Sequence, residues 1–160
     1  MKLRTLACTI AAVALTTSVA RAQDPERAAV LATVQKVFDA MRTRDTAILS
    51  QVFDSSARLV GVSTRGTPAI TLTTPARFGA AIAGAKAGDV WNERIFDPEV
   101  RIDADLAQVW AYYTFHLNKQ FSHCGVDAFM LRKVGGAWKI TQLADSHRTQ
   151  GCTHTEPPGV

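Results

Sequence analysis

The amino-acid sequence predicts an α+β domain in which three helices pack on a strongly curved, mainly antiparallel sheet, a cone-shaped α+β barrel. Apolar residues at helical spacing, with N-terminal capping signals, dominate the first part of the chain. Alternating strand patterns occupy nearly all of residues 90–145, and the Gly135–Gly136 pair is the clearest hairpin signal. Helices followed by a meander of strands indicate α+β architecture.

Residues 1–22 are predicted to be a signal peptide. Lys2 and Arg4 precede an apolar run over residues 6–15, and a small-residue motif ends at Ala22, after which cleavage is expected. The run is too short to span a membrane, which takes roughly 20 apolar residues, and no later stretch is long enough. We therefore expect an exported protein, either periplasmic or secreted, with no membrane span after signal cleavage.

Without the signal peptide, the chain is nearly neutral. Removing three basic residues leaves 15 Lys and Arg (18 minus 3) against 14 Asp and Glu. These residues are scattered, so nucleic acid is not an expected partner. No Gly-rich phosphate loop occurs, and we expect no cofactor. One domain is predicted over residues 23–152, followed by a flexible tail over residues 153–160.

Three helices are predicted from apolar spacing and from their start signals. Asp24 is the expected N-cap of the first helix, with Pro25 at its first position. An acidic residue opens a short second helix over about residues 45–53. Thr74 and Pro75 repeat the cap-plus-proline signal and begin the third helix. Each helix has one apolar face, which we expect to pack on the sheet.

Five strands are predicted from alternating apolar and polar residues. The first, over residues 57–63, separates the second and third helices. The other four follow the third helix and are joined by short connections, which suit antiparallel neighbours. They are predicted over residues 90–102, with Asp97–Pro98 as a bulge or break, and over residues 106–118, 126–133 and 137–145.

The glycine hairpin sets a predicted register for the last two strands. A two-residue loop places Val134 opposite Ala137, and the ladder then pairs Leu131 with Ile140, Phe129 with Gln142 and Asp127 with Ala144. Alternation gives an apolar face of Val109, Ala111, Tyr113, Phe115, Leu117, Asp127, Phe129, Leu131, Trp138, Ile140 and Gln142. The other face, either solvated or a surface for self-association, carries Trp110, Tyr112, Thr114, His116, Met130, Arg132, Lys139, Leu143 and Asp145.

Asp127 is the candidate chemical group because a carboxylate on an apolar face is costly unless it is satisfied. One interpretation is structural: Asp127 accepts hydrogen bonds from the backbone or from Ser122 near a strand end. The other is functional: burial raises its pKa and makes it a general acid or base, with Tyr113 and Gln142 as polar neighbours. His123 and His147 are either surface residues at strand ends or part of the pocket mouth.

Cys124 and Cys152 are an even pair in an exported chain, so a disulfide is the leading interpretation. Two free thiols are one alternative. A metal site that recruits His123, His147 and His154 is the other, but the spacing matches no tight zinc pattern, and we expect no metal. A nucleophilic Cys124 is disfavoured, because successive residues of a strand point to opposite faces, so Ser122, His123 and Cys124 cannot all converge on one substrate.

Three segments, VFDAMRTRDTAILSQVF, AQVWAYYTF and FSHCGVDAFMLRKVGGAWKI, resemble the nuclear transport factor 2-like superfamily, specifically its exported SnoaL-like members. The resemblance spans about residues 24–152. It implies a cystatin-like cone fold with a pocket at the wide end and frequent dimerisation through the sheet. Relatives include ketosteroid isomerases, dehydratases, polyketide cyclases and epoxide hydrolases, and many others only bind ligands. Asp127 and Tyr113 lie on strands that supply pocket groups in such enzymes.

These observations lead to two functional hypotheses. In the first, the domain binds a small, mostly apolar molecule, with acid/base chemistry of an isomerase, dehydratase or hydrolase type. In the second, it is a noncatalytic ligand-binding or interaction module, dimeric through its outer sheet face, with a filled core. The first hypothesis assigns catalytic roles to Asp127 and Tyr113, and the pocket residues are predicted to be Phe115, Phe129, Trp138, Gln142 and His123.

Overall fold

The computed structural model describes residues 25–64, 67 and 69–158 of the chain. The predicted signal peptide and the Asp24 cap lie outside the described residues. The predicted α+β class is confirmed, because helices cover one face of a curved, mainly antiparallel sheet. In chain order the elements are α1 (Pro25–Thr43), α2 (Ala47–Val52), β1 (Phe53–Ser63), β2 (Ala69–Thr73), α3 (Pro75–Ala83), β3 (Trp91–Asp103), β4 (Leu106–Leu117), β5 (Gln120–Val134) and β6 (Ala137–His147).

The sheet has six strands in the order β2-β1-β6-β5-β4-β3. All neighbours are antiparallel except β1 and β6, which run parallel. Strand β2 was not predicted. It is a short edge strand, and Ile70 and Leu72 are 72% and 75% exposed, so no burial pattern marks it.

Strand β5 begins earlier than predicted. Asn118 takes a positive φ of 61° directly after β4, which closes the turn within two residues. Residues 120–125, which were predicted to be part of a connection, are therefore in the sheet. The bulge predicted at Asp97–Pro98 is confirmed, because the register of β3 shifts between Phe96 and Glu99.

A bulge at Thr141 overturns the predicted register beyond it. Val134 pairs with Ala137 and Leu131 with Ile140, as predicted, but Met130 then pairs with Gln142. Thr141 is the additional residue, and its Oγ1 donates a hydrogen bond to the carbonyl oxygen of Met130 at 3.1 Å. Every later residue of β6 therefore changes face. Gln142 is exposed, contrary to the prediction, while Leu143 and Asp145 face the helices.

One end of the space between helices and sheet is filled by a regular core. Phe129 is fully buried and meets the ring of Phe38 edge to face, with centroids 6.2 Å apart. Trp138 is also buried, and its Nε1 donates to a Glu26 carboxylate oxygen at 3.0 Å. Further core positions are Val30, Val34, Val37, Val109, Leu131 and Ile140.

Cys124 and Cys152 form the predicted disulfide. Residues 153–156, part of the segment predicted to be a flexible tail, form hydrogen bonds to side chains of β3 and β4; the flexibility of the tail stays a prediction. Tyr112 Oη donates to the carbonyl oxygen of Thr153 at 3.0 Å and accepts from its backbone N–H at 2.8 Å. Arg94 Nη2 donates to the carbonyl oxygen of Glu156 at 3.0 Å. The disulfide brings this segment to β4, where side chains satisfy its backbone groups.

His154 and Thr155 cover part of the outer sheet face. His154 stacks on Phe96, with ring centroids 4.1 Å apart, and His116 Nε2 lies 3.2 Å from the carbonyl oxygen of Thr155. His116, expected on an open face, is therefore fully buried, whereas Trp110 stays 51% exposed. Homodimerisation through this outer face stays a prediction.

Replacing Gly125 by alanine is expected to destabilise the fold by at least about 3 kcal/mol. A Cβ at this position would lie 1.6 Å from the carbonyl oxygen of Ser146 and 2.8 Å from Cε1 of Tyr113. Neither the sheet backbone nor the buried ring has room to move. Gly79→Ala, in α3, is the control, since its Cβ would lie 3.3 Å from the flexible end of the Leu49 side chain and 3.7 Å from Thr46 Cβ, an ordinary contact distance. Urea unfolding measures both variants, and equal stabilities would contradict the prediction.

Cys152→Ser is expected to lower the free energy of unfolding by about 3 to 4 kcal/mol, because the disulfide closes a loop with a sequence separation of 28. Reducing the wild-type disulfide under native buffer conditions should give a similar loss. In denaturant, the unreduced chain from Gln23 onward should show no thiol reactive towards Ellman's reagent. Two reactive thiols, or a Cys152→Ser variant as stable as wild type, would refute the bond.

Candidate functional site

A cavity of about 450 Å³ lies between the concave face of the sheet and helices α1 and α3. We call it the site cavity. Its wall is mostly apolar, and four of its residues are aromatic: Phe38, Phe78, Trp91 and Phe115. Its polar side chains come mainly from β3, β5 and β6. They include Glu93, Ser122, His123, Asp127, Asp145 and His147.

The sheet brings three carboxyl groups together in the site cavity. Asp127 of β5 pairs directly with Asp145 of β6, so their side chains stand side by side. Glu93 reaches them from β3, and the Glu93 and Asp127 carboxyl groups hydrogen-bond to each other. A hydrogen bond between two carboxyl groups requires one proton, so this pair shares one.

Burial and repulsion from neighbouring carboxyl groups raise the pKa values of Glu93 and Asp127. For Glu93, burial and the charge of Asp145 raise the pKa to about 8, although the Asp127 hydrogen bond opposes the shift. For Asp127, burial is again the main cause, and the charges of Glu93 and Asp145 add to it, so its pKa lies well above the usual range. Groups with such pKa values can exchange protons near neutral pH.

The Asp127 side chain is only 2% exposed, and its Oδ2 has no hydrogen-bond partner among the described residues. Ser122, which was considered as a donor to it, instead lies 3.0 Å from His123 Nδ1 through its Oγ. Asp127 therefore borders the site cavity with one unsatisfied oxygen. This position favours the functional interpretation of Asp127 over the structural one.

Two histidines complete the polar part of the site cavity. His147 Nε2 contacts Asp145 Oδ2, two residues earlier on the same face of β6. The His147 ring lies 4.8 Å from the His123 ring, centroid to centroid. His123 also stacks on Phe115 at 4.9 Å, which fixes the plane of its imidazole.

Ser122 reaches the site cavity through a bulge in β5. Phe115 pairs with His123 and His116 with Phe121, which leaves Ser122 as the additional residue of β5. The alternation that was expected to separate Ser122 from His123 is broken here, and both side chains line the site cavity. Cys124 is buried in its disulfide and offers no thiolate.

Tyr113 joins two of the strands that form the site, β4 and β6. Its ring lies against Gly125, and its hydroxyl donates to the carbonyl oxygen of Ser146 at 3.0 Å. Burial raises its pKa above the usual range, and the charges of Glu93, Asp145 and Asp127 add to this, so the phenol stays neutral. Tyr113 is not among the described residues that line the site cavity.

The predicted pocket residues thus divide into two groups. Phe115, His123 and Asp127 line the site cavity. Phe129 and Trp138 lie in the filled core, and Gln142 is exposed. Within the described part of the chain, no group of three or more His, Cys, Asp or Glu residues is arranged to hold a metal ion.

Residues 25–143 match the model of a protein family described as "Putative lumazine-binding". The chain belongs to this family. Solved structures of nuclear transport factor 2-like proteins share its fold, as the resemblance implied. One from Silicibacter pomeroyi is 20% identical with a TM-score of 0.60, covering 77% of this chain and 96% of that chain. One from Cytophaga hutchinsonii is 16% identical with a TM-score of 0.63, covering 78% and 100%.

The chain is also similar to a protein from Kribbella flavida at 16% identity and a TM-score of 0.64, covering 79% of this chain and 94% of that chain. At such identities the likeness concerns the fold alone. No curated protein matches the chain significantly in sequence. None of the described helices is both long and apolar enough to cross a membrane.

Sequence reasoning missed two residues of the site cavity, Glu93 and Asp145, whereas His147 had been considered as a metal ligand or as part of the pocket mouth. Asp145 was assigned to the outer face because the Thr141 bulge carries no sequence signal. Glu93 stands in an alternating strand with apolar neighbours at Trp91 and Ile95, and this alternation is the signal that could have found it.

Glu93→Gln is expected to flatten the pH dependence of stability. The folded pKa of Glu93 lies above its unfolded value, so the unfolded chain loses this proton first as pH rises. Wild-type stability should therefore fall between about pH 5 and pH 8, by up to about 1.4 kcal/mol per pH unit for each such proton. The free energy of unfolding of Glu93→Gln should fall less over this range, and near pH 8 the variant should be more stable than wild type.

Denaturant unfolding at several pH values measures this dependence. Glu99→Gln is the matched control, because Glu99 lies on the same strand with a side chain 68% exposed. Glu99→Gln should leave the slope of unfolding free energy against pH unchanged. A wild-type stability that rises from pH 5 to pH 8, or equal slopes for wild type and Glu93→Gln, would contradict the assignment.

Proposed function

We propose that the protein is an exported binding protein for a small, mostly apolar molecule, and that the Glu93–Asp127 pair exchanges protons with it. The observation that carries the proposal is a proton-sharing carboxyl pair facing an apolar cavity of about 450 Å³. Cavities of this size and composition are typical of small-molecule sites. The disulfide and the signal-like N-terminal sequence support export.

The carboxyl pair has the properties of a general acid and a general base at once. Its protonated member can donate to an oxygen or nitrogen of the bound molecule, while its ionised member can accept a proton from it. Asp145 stands beside the pair and is itself in contact with His147. Moving a proton between two positions of one molecule is isomerase- or dehydratase-type chemistry.

The apolar part of the bound molecule would lie against the aromatic wall. Trp91 and Phe115 meet edge to face, with centroids 6.1 Å apart, and His123 stacks on Phe115. Such a wall suits a flat or ring-containing molecule. Lumazine, which the family description names, is a flat two-ring heterocycle and is therefore one of the molecules to test.

Native mass spectrometry of the protein expressed in a bacterial periplasm tests the binding proposal. We expect a co-purifying small molecule on wild type that is lost, or bound about tenfold more weakly, in Asp127→Asn. Gln142→Ala is the matched control, since Gln142 lies on the neighbouring strand but is exposed, and it should retain the molecule.

The proton-exchange proposal is tested in deuterated buffer. Incorporation of solvent deuterium into a carbon position of the bound molecule should occur with wild type and with Gln142→Ala, and not with Asp127→Asn. If no molecule co-purifies, and neither lumazine nor a panel of apolar compounds shifts the Tm, the binding proposal fails. If a molecule binds but incorporates no deuterium, the binding proposal stands and the proton-exchange proposal is wrong.

A further inference from the structure

The charges that face the site cavity are unbalanced. Three carboxyl groups line it, whereas no Lys or Arg is among the described lining residues. His147 is engaged with Asp145, and His123 lies against Ser122 and Phe115. Within the described chain, the Glu93–Asp127 pair therefore faces the site cavity without a cationic partner of its own.

Two arginines approach Glu93 from the other side. Arg42 and Arg94 line an adjoining hollow that Glu93 also borders. Arg42, however, is paired with Asp39 at 2.8 Å, and Arg94 Nη2 donates to the carbonyl oxygen of Glu156. The charges that act on Glu93 are those of carboxyl groups, not of these guanidinium groups. Neither arginine lines the site cavity.

A second, independent observation points to a hydrogen-bond donor in the site cavity. Asp127 Oδ2 is buried and has no partner among the described residues. Buried polar atoms are nearly always satisfied, so an unsatisfied carboxyl oxygen at a cavity wall indicates a donor that arrives with the ligand. A cationic donor would stabilise this carboxylate more than a neutral donor would.

The aromatic wall is compatible with the same kind of ligand. Trp91 and Phe115 border the site cavity together with Phe38 and Phe78. Aromatic ring faces attract organic cations, and they also bury the apolar part of a ligand. Aromatic walls with uncompensated carboxyl groups are therefore suited to an apolar molecule that carries one positive charge.

We infer that the occupant of the site cavity is an organic cation, an otherwise apolar amine whose ammonium group binds Asp127 and Glu93. This inference rests on the proposed binding function and specifies its ligand class. The ammonium N–H groups donate to Asp127 Oδ2 and to the Glu93 carboxylate. The amine enters in its protonated form, and the proton shared by the two carboxyl groups leaves to solvent, so that charge and protons balance. In the bound state the ammonium N–H groups replace that proton as the acid of the site.

Three matched probes test the charge preference by calorimetry at neutral pH: phenethylamine, phenethyl alcohol and hydrocinnamate. They share a phenyl ring on a two-carbon chain and differ in charge. We expect the amine to bind about ten- to a hundredfold more tightly than the alcohol, and the anion to bind most weakly. Asp127→Asn should remove most of the amine preference and leave the alcohol affinity nearly unchanged. Gln142→Ala should change neither affinity.

Proton release provides a readout that a merely apolar site would not show. Titrations in two buffers of different ionisation enthalpy should show release on binding phenethylamine and none on binding phenethyl alcohol. The titratable groups that face the pair are Asp145 and His147 from β6, His123 from β5 and Tyr113 from β4, and the described lining residues of α1, α3, β1 and β2 include none. Glu93→Gln should reduce the release, and it replaces Asp127→Asn if that variant does not fold by circular dichroism.

The outcomes separate the inference from the proposed function. If phenethyl alcohol binds as tightly as phenethylamine, or if the amine preference survives in Asp127→Asn, the cation inference is wrong and the binding function stands. The cation inference is also wrong, and the binding function again stands, if none of the three probes binds but a neutral compound such as lumazine does. If no compound binds at all, both fail.

Discussion

The bulge at Thr141 is the constraint on which the site depends. Side chains along a strand alternate between faces, so one additional residue reverses every position beyond it. In a regular β6, Gln142 and Ala144 would face the helices, and Asp145 would point outward. With Thr141 inserted and hydrogen-bonded to Met130, Asp145 stands beside Asp127 instead. The negative charge that raises the pKa of Asp127 is thus partly a consequence of backbone register.

The carboxyl groups oppose folding, and other parts of the molecule offset their effect. Burying like charges side by side is unfavourable unless protons or counter-charges neutralise them. The strands that carry them are held by interactions outside the site cavity: the disulfide fastens β5, and the Tyr113 hydroxyl joins β4 to Ser146 of β6. The site therefore keeps its geometry although its own charges repel one another.

The features that were predicted correctly are those with a local sequence signal. Thr74 caps α3 through its side chain, which accepts from the N–H of Arg77, as its place before Pro75 indicated. The glycine pair fixed the first pairs of the β5–β6 hairpin. Asp127 was identified because a carboxylate interrupts an apolar alternation. Cys124 and Cys152 were paired from their number and the expected compartment.

The features that were missed depend on contacts distant in sequence. Thr141 is an unremarkable strand residue, and only the paired ladder shows that it is the additional one. The contacts of residues 153–156 have no sequence signal, because backbone groups of this segment hydrogen-bond to the side chains of Tyr112 and Arg94. Glu93 meets Asp127 across the intervening strand β4, and no spacing along the chain encodes that approach.

The bulges at Thr141 and Ser122 also explain where the filled core ends and the site cavity begins. Up to Leu131 and Ile140 the β5–β6 ladder is regular, and apolar residues such as Leu131, Trp138 and Ile140 fill the space. Beyond Thr141, β6 presents Asp145 and His147, and the bulge at Ser122 adds a hydroxyl next to His123. A purely apolar core needs neither irregularity. Bulges are common next to functional sites because they redirect side chains without changing the fold, and here both of them deliver polar groups to the same cavity.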